Sequence, residues 1–235
     1  MIPLPMRRFL IGLKLRKTSK TLTEIYQRLF ERYGPQRWWP GDSPFEVMLG
    51  AILTQSASWQ NVEKAISNLK NAGMMSPVAL RNIPTDELTQ LIHTAGYYNA
   101  KALKLKALVN WLGASCGDDL NRLFATDTDT LRQHLLAIHG IGPETADSIL
   151  LYAGNKPVFV IDAYSRRIFS RLGLTSENDS YPVYQALFMN NLPENTQLFN
   201  EYHALLVQFG KKACRKQPVC DNCCLFLICR FHSDE

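Results

Sequence analysis

No apolar run in this 235-residue sequence approaches the roughly 18 residues needed to cross a bilayer. The stretch Phe9-Leu10-Ile11-Gly12-Leu13 is short for the apolar core of a signal peptide and no A-x-A cleavage site follows it. Low-complexity segments and repeats of solenoid period are absent too. The expectation is a soluble, cytoplasmic protein with no membrane contact. Extended pattern is scarce as well: only Val158 to Ile161 reads as a strand, and one short run cannot make a sheet. Disorder is excluded by 46% hydrophobic and 20% charged residues, too apolar and too balanced for an unfolded chain. The length corresponds to about one and a half average domains.

Acidic residues are missing from the first 23 positions, which hold six bases (Arg7, Arg8, Lys14, Arg16, Lys17, Lys20). Residues 211 to 235 hold five bases against three acids, so of the net +5 the segment 24 to 210 carries −3. Basicity at both ends suits a polyanion such as nucleic acid, should the ends meet in the fold, and equally suits a solvated tail.

What the chain does contain is helical punctuation. Ser43-Pro44-Phe45-Glu46 reads as a capping box, with a hydroxyl for the N3 amide, a proline where no amide is needed and a glutamate reaching back. It opens a buried helix from Val47 to Leu53. Trp59 to Lys70 has apolar residues at 59, 62, 65, 66 and 69 and stops at Gly73. Further helical patterns run over about 86 to 94, 99 to 114, 128 to 138, 144 to 153, 163 to 172, 182 to 190 and 196 to 210. The fold class is all-α, with some ten helices and short loops.

Between two of these helices lies Gly140-Ile141-Gly142-Pro143-Glu144-Thr145-Ala146. Two glycines around one apolar residue allow a tight turn in which Ile141 plugs the core and turn amides face out to grip a phosphate. Gly-x-Gly alone is also a common helix connection. Twenty residues on come Val160-Ile161-Asp162, then Arg166 and Arg167. An aspartate there caps a helix whatever else it does.

Hairpin and aspartate together resemble the helix-hairpin-helix DNA glycosylases of the endonuclease III superfamily. The resemblance runs from about residue 24 to 231 and includes Gly96-Tyr97-Tyr98-Asn99-Ala100-Lys101-Ala102. It implies two lobes: six helices over 45 to 156, and a second lobe of 24 to 44 with 157 to 235, preceded by a basic arm over 1 to 23. DNA would enter between them. Gly140, Ile141, Gly142, Arg166, Lys211 and Lys212 are then the expected DNA-binding residues. Asp162 becomes the catalytic carboxylate, which stabilises positive charge on the sugar and orients water.

Members that cleave the strand carry a lysine in the hairpin helix as Schiff-base nucleophile. Here that place holds Glu144, the second candidate catalytic residue, which cannot form an imine. Water is the expected nucleophile and lyase activity is not expected. The adenine-removing branch carries an acid where this chain has Ala51, so that branch is disfavoured.

Trp38-Trp39-Pro40 before the capping box, and Trp59 after it, look most like the bacterial branch that removes 3-methyladenine. Electron-rich rings would select a cationic alkylated purine by stacking and cation–π attraction, though a tryptophan pair also makes a plain hydrophobic lid. By the same likeness Gln55 or Ser56 fills the gap left by the flipped nucleotide and Tyr97 wedges the opposite strand; Tyr97 could equally be core.

Five of the six cysteines crowd into sixteen positions, which implies a metal rather than disulfides. Cys214-x5-Cys220-x2-Cys223-x5-Cys229 resembles the family's C-terminal [4Fe-4S] loop with its first gap shorter by one, and thiolate-only ligation suits zinc as well. Cys224 reads as a spare thiol, and Lys211, Lys212, Arg215, Lys216 and Arg230 surround the loop. The reading is a monomeric, nucleoid-associated, monofunctional glycosylase acting on double-stranded DNA with a damaged base, most simply an alkylated purine. The rivals are a glycosylase for oxidised pyrimidines or deaminated bases, and a catalytically idle cluster-bearing DNA-binding protein.

Overall fold

The computed structural model describes residues 4 to 231, with side chains from residue 17 onward. Arg7, Arg8, Lys14 and Arg16 of the basic segment therefore lie outside the described side chains. Among the described residues there are twelve α-helices and no strand. The chain divides into two compact units, one of Trp39–Lys156 and one formed by the chain up to Trp38 with the chain from Pro157.

The Trp39–Lys156 unit holds α2 (Pro44–Leu53), α3 (Trp59–Asn71), α4 (Pro77–Asn82), α5 (Thr85–Leu91), α6 (Tyr98–Cys116), α7 (Leu120–Ala125), α8 (Thr128–Leu136) and α9 (Pro143–Ser148). Its centre is α2, apolar apart from Glu46 and buried from Phe45 to Leu53, as a helix surrounded by others must be. Ser43 Oγ accepts the Glu46 amide at 3.2 Å, but Glu46 reaches one residue further back than a capping box predicts, to the Asp42 amide at 3.1 Å. The segment 144 to 153, expected as one helix, ends in a π turn over Ile149–Ala153, with Gly154 N–H donating to Ile149 O at 3.0 Å. Helices α4 and α7 carry no expectation from the sequence, since six residues are too few for a period to show.

The other unit holds α1 (Leu4–Tyr33), α10 (Ala163–Arg171), α11 (Tyr181–Met189) and α12 (Thr196–Lys212). Phe159 lies at its centre, stacked on Phe188 at 3.7 Å between ring centroids and meeting Phe199 and Tyr202 edge-on. Leu22, Ile25 and Leu29 of α1 are fully buried, and Tyr202 Oη donates to Leu22 O at 2.9 Å. The anticipated boundary after residue 23 falls inside this helix. Val158 to Ile161 is extended without pairing to any strand.

Candidate nucleic-acid interface and active site

The hairpin joins α8 to α9. Ile141 is buried at 4% exposure and its amide closes the turn on Ile138 O at 3.1 Å. Gly140 has φ +79, and a Cβ there would lie 2.3 Å from Lys104 Cγ, so the position requires glycine for both conformation and space. Gly142 is different: it is the N-cap of α9, its φ is ordinary, and a Cβ would meet nothing. No side chain caps α9 there, so the first-turn amides lie at a bare, exposed glycine. Behind the turn, Arg132 holds Asp147 through Nε–Oδ1 at 2.6 Å and Nη2–Oδ2 at 3.1 Å, a bidentate pair fixing α8 against α9. Glu144 sits exposed in the first turn of α9, and the Ser148 hydroxyl donates to its backbone carbonyl at 2.7 Å.

Gln55 is placed against this turn. Its amide nitrogen donates to Gly140 O at 3.1 Å and to Thr145 Oγ1 at 2.9 Å, while its Oε1 accepts from the Lys104 ammonium. Gln55 is thus tied to the hairpin, and Ser56, next along the loop, is exposed and in left-handed backbone at φ 52. Tyr97 is no core residue: it is 73% exposed, at φ 46, and caps α6.

Trp39 and Trp59 come together edge to face, with ring centroids 5.3 Å apart and an interplanar angle of 85°. Trp39 lies over Gly50 of α2, where a Cβ would stand 3.1 Å from the indole, and its other neighbour is Tyr152 in the π turn at 5.2 Å. These two tryptophans line an open cavity of about 500 Å³ with Asp42, Glu46, Glu63 and Lys70 on its walls. Glu63 accepts from Trp59 Nε1 at 2.6 Å, and Lys70 pairs with Asp42 at 2.6 Å and Glu46 at 2.9 Å. Those two carboxylates raise the Lys70 pKa, Asp42 most. Trp38 is half-buried and belongs to the other unit.

In that other unit Asp162 is the N-cap of α10 and 9% exposed. Its Oδ1 accepts the Ser165 amide at 2.7 Å and the Ser165 hydroxyl at 2.9 Å; Oδ2 lies 3.7 Å from His203 Nε2. Burial lowers the His203 pKa and the Asp162 charge only partly offsets it, so the imidazole is neutral at physiological pH. One turn on, Arg166 donates to Asp179 O at 2.9 Å and lies over the Tyr184 ring. Lys211 and Lys212 are exposed in the last turn of α12, where they also suit the helix dipole.

Hairpin, capped aspartate and chain order together match one family: residues 49–194 fit the HhH-GPD superfamily base excision DNA repair protein. The chain belongs to the HhH-GPD superfamily. It is a DNA glycosylase of base excision repair, and DNA is its partner. A proposed DNA repair glycosylase of Methanocaldococcus jannaschii is 46% identical over 208 residues, 88% of this chain and 94% of that one. Endonuclease III of Sulfolobus acidocaldarius is 30% identical over 193 residues, 81% of this chain and 83% of that one. Among solved structures, the 3-methyladenine DNA glycosylase of Helicobacter pylori bound to 1,N6-ethenoadenine is 29% identical, with a TM-score of 0.69 over 83% of this chain and 97% of that one. No helix among the described residues is long and apolar enough to cross a membrane.

This HhH-GPD member carries a cysteine-rich loop after α12. As placed, no group of three or more His, Cys, Asp or Glu side chains among the described residues stands ready to hold a metal ion. Cys214, Cys220, Cys223 and Cys229 nonetheless line one small apolar cavity of about 30 Å³ with Ile168, Leu172, Phe209 and Leu225. Arg171 donates to Cys214 Sγ at 3.3 Å, to Arg215 O at 2.6 Å and to Lys216 O at 2.8 Å. Arg167 donates to Cys214 O at 2.9 Å. A thiol-only donor set in apolar surroundings, beside a guanidinium that offsets anionic charge, fits a thiolate-ligated group. Cys224 faces α1 instead: burial, then the neighbouring Cys223, pushes its pKa up to about 11, and Arg28 donates to its carbonyl at 3.4 Å.

His203, Tyr152, Glu63 and Lys104 escape a reading of the sequence alone. Only His203 leaves a trace there, as a polar residue between Tyr202 and Ala204 on the apolar face of α12.

Proposed function

We propose that the protein is a monofunctional DNA glycosylase that acts as a monomer on double-stranded DNA and hydrolyses the N-glycosidic bond of a flipped, alkylated purine. The observation that carries the substrate class is the Trp39–Trp59 cavity, whose walls bring three carboxylates against one ammonium. Aromatic faces in an acidic surround attract a purine that bears positive charge, and such a base leaves without prior protonation. The relative from Helicobacter pylori, a 3-methyladenine glycosylase by name, supports the same class.

Hydrolysis then falls to Asp162. Its carboxylate faces positive charge developing at the sugar and orients the attacking water, while the Ser165 amide and hydroxyl hold it through Oδ1. The absence of lyase chemistry rests on Glu144, an acid in the first turn of α9 where an amine nucleophile would be needed. The endonuclease III relative from Sulfolobus keeps the strand-cleaving alternative in view.

The four cavity-lining cysteines are the proposed ligands of a [4Fe-4S] cluster. All four lie in the loop after α12 and would hold the cluster there, where it would order that loop; cleavage of the glycosidic bond needs no electrons from it. Lys211 and Lys212 supply phosphate contacts beside it, with the hairpin amides at Gly142 as the sequence-independent grip. A panel of duplexes, each with one lesion, tests the reading: release of alkylated purines ahead of oxidised pyrimidines and uracil supports it, and the reverse order removes it.

A further inference from the structure

Lys101 is the least expected buried residue in the Trp39–Lys156 unit, a lysine at 1% exposure. Its ammonium donates to Leu53 O and Ala95 O, both at 2.8 Å. Neither acceptor is incidental. Leu53 is the last residue of α2, and Ala95 closes the 3-10 turn His93–Ala95. Each carbonyl stands where the chain leaves a helix for a turn, and the two turns present Ser56 and Tyr97. Both presented residues are exposed and left-handed, at φ 52 and φ 46, a conformation non-glycine residues hold only when their surroundings impose it. The Lys101 amide also donates to Tyr97 O at 3.0 Å, and Thr94 Oγ1 donates to Asn61 O at 3.0 Å, which ties the second turn to the helix following the first. One turn along α6, Lys104 braces the hairpin through Gln55.

We propose that Lys101 is a positioning residue that fixes the spacing between the Ser56 turn and the Tyr97 turn, so that both side chains enter the duplex together when a nucleotide is flipped. This rests on the base-flipping reading above and adds to it the internal tie by which two loops act as one. Burial, and after it the cationic neighbour Lys104, lowers the ammonium's pKa to about 8.

The test uses the full-length protein and a duplex carrying 2-aminopurine next to a reduced abasic site. Lys101→Met keeps the stem and removes the donors. Helix content by circular dichroism and affinity for undamaged duplex should stay within about twofold of wild type, because the hairpin is untouched, while the 2-aminopurine unstacking signal should fall at least about fivefold. Tyr97→Ala should lose the same signal, and the double variant should be no worse than Tyr97→Ala, since Lys101 acts through that residue. Unstacking at the wild-type level in Lys101→Met overturns the proposal, as do losses that multiply in the double variant. If Tyr97→Ala unstacks like wild type, the proposal falls with the wedge, while base release from an alkylated duplex still judges the glycosylase reading separately. Should Lys101→Met fail to fold, Lys101→Gln, with a shorter and uncharged side chain, replaces it: reduced unstacking with duplex affinity kept supports the tie, and unchanged unstacking overturns it.

Discussion

Asp162 Oδ2 and His203 Nε2 stand 3.7 Å apart, both side chains buried and the imidazole neutral. In the proposed mechanism the Asp162 carboxylate stabilises the positive charge that develops on the sugar. Asp162→Asn retains an acceptor for the Ser165 amide, and thus the cap, but removes the carboxylate's charge. Base release should drop by about two orders of magnitude or more, with DNA affinity preserved, in single-turnover assays.

The same pair sets an acid limit on stability. His203 has a folded pKa below the ordinary 6.5 because it is buried. As pH falls, the unfolded chain takes up the proton first. The stability that neutral His203 contributes is therefore fully present above pH 6.5 and declines as pH drops below it towards the folded pKa. Thermal melts between about pH 7 and pH 5 should show a fall in Tm that His203→Gln flattens. An unchanged slope in the variant would assign the acid loss to other groups.

The two hairpin glycines should separate cleanly. Gly140→Ala must adopt φ +79 and push against Lys104, at a cost of about 1 to 3 kcal/mol, so both Tm and DNA affinity should fall. Gly142→Ala has room, so its Tm should hold while its affinity drops, because the added methyl stands between phosphate and the α9 amides. Equal Tm losses in the two variants would contradict the geometry described for the turn.

Much of this was readable along the chain. Ser43, Asp162 and the Gly140–Gly142 turn are local signals, since caps and tight turns depend on a few adjacent residues. The resemblance groups Trp38, Trp39 and Trp59 in one pocket, but Tyr152, which meets Trp39, lies in a π turn that no periodicity separates from an α-helix. His203 lies 41 positions from Asp162, and only the packing of α12 on α10 brings it near. Gln55 and Ser56 are adjacent and both polar; what distinguishes them is that one meets Gly140 and Lys104, residues 85 and 49 positions away. The long first helix was hidden by its basic composition and by the lack of an acidic first turn.

The cysteine loop gives an analytical prediction. Protein purified without oxygen should be brown, with iron and acid-labile sulfide near about four per chain. Cys220→Ser should lose the colour and lower Tm, whereas Cys116→Ser, distant in sequence and buried against Leu112 O, should keep the colour. Stoichiometric zinc in colourless protein would replace the cluster with a zinc site.

The most direct test of the central claim scores base release and strand cleavage separately on one duplex carrying a single alkylated purine, with and without borohydride. The free base should appear, the strand should stay intact until alkali or heat, and no covalent protein–DNA complex should form, because Glu144 offers no amine. Efficient trapping by borohydride, with cleavage keeping pace with base release, would show that an amine of this chain attacks the sugar and would contradict the monofunctional mechanism.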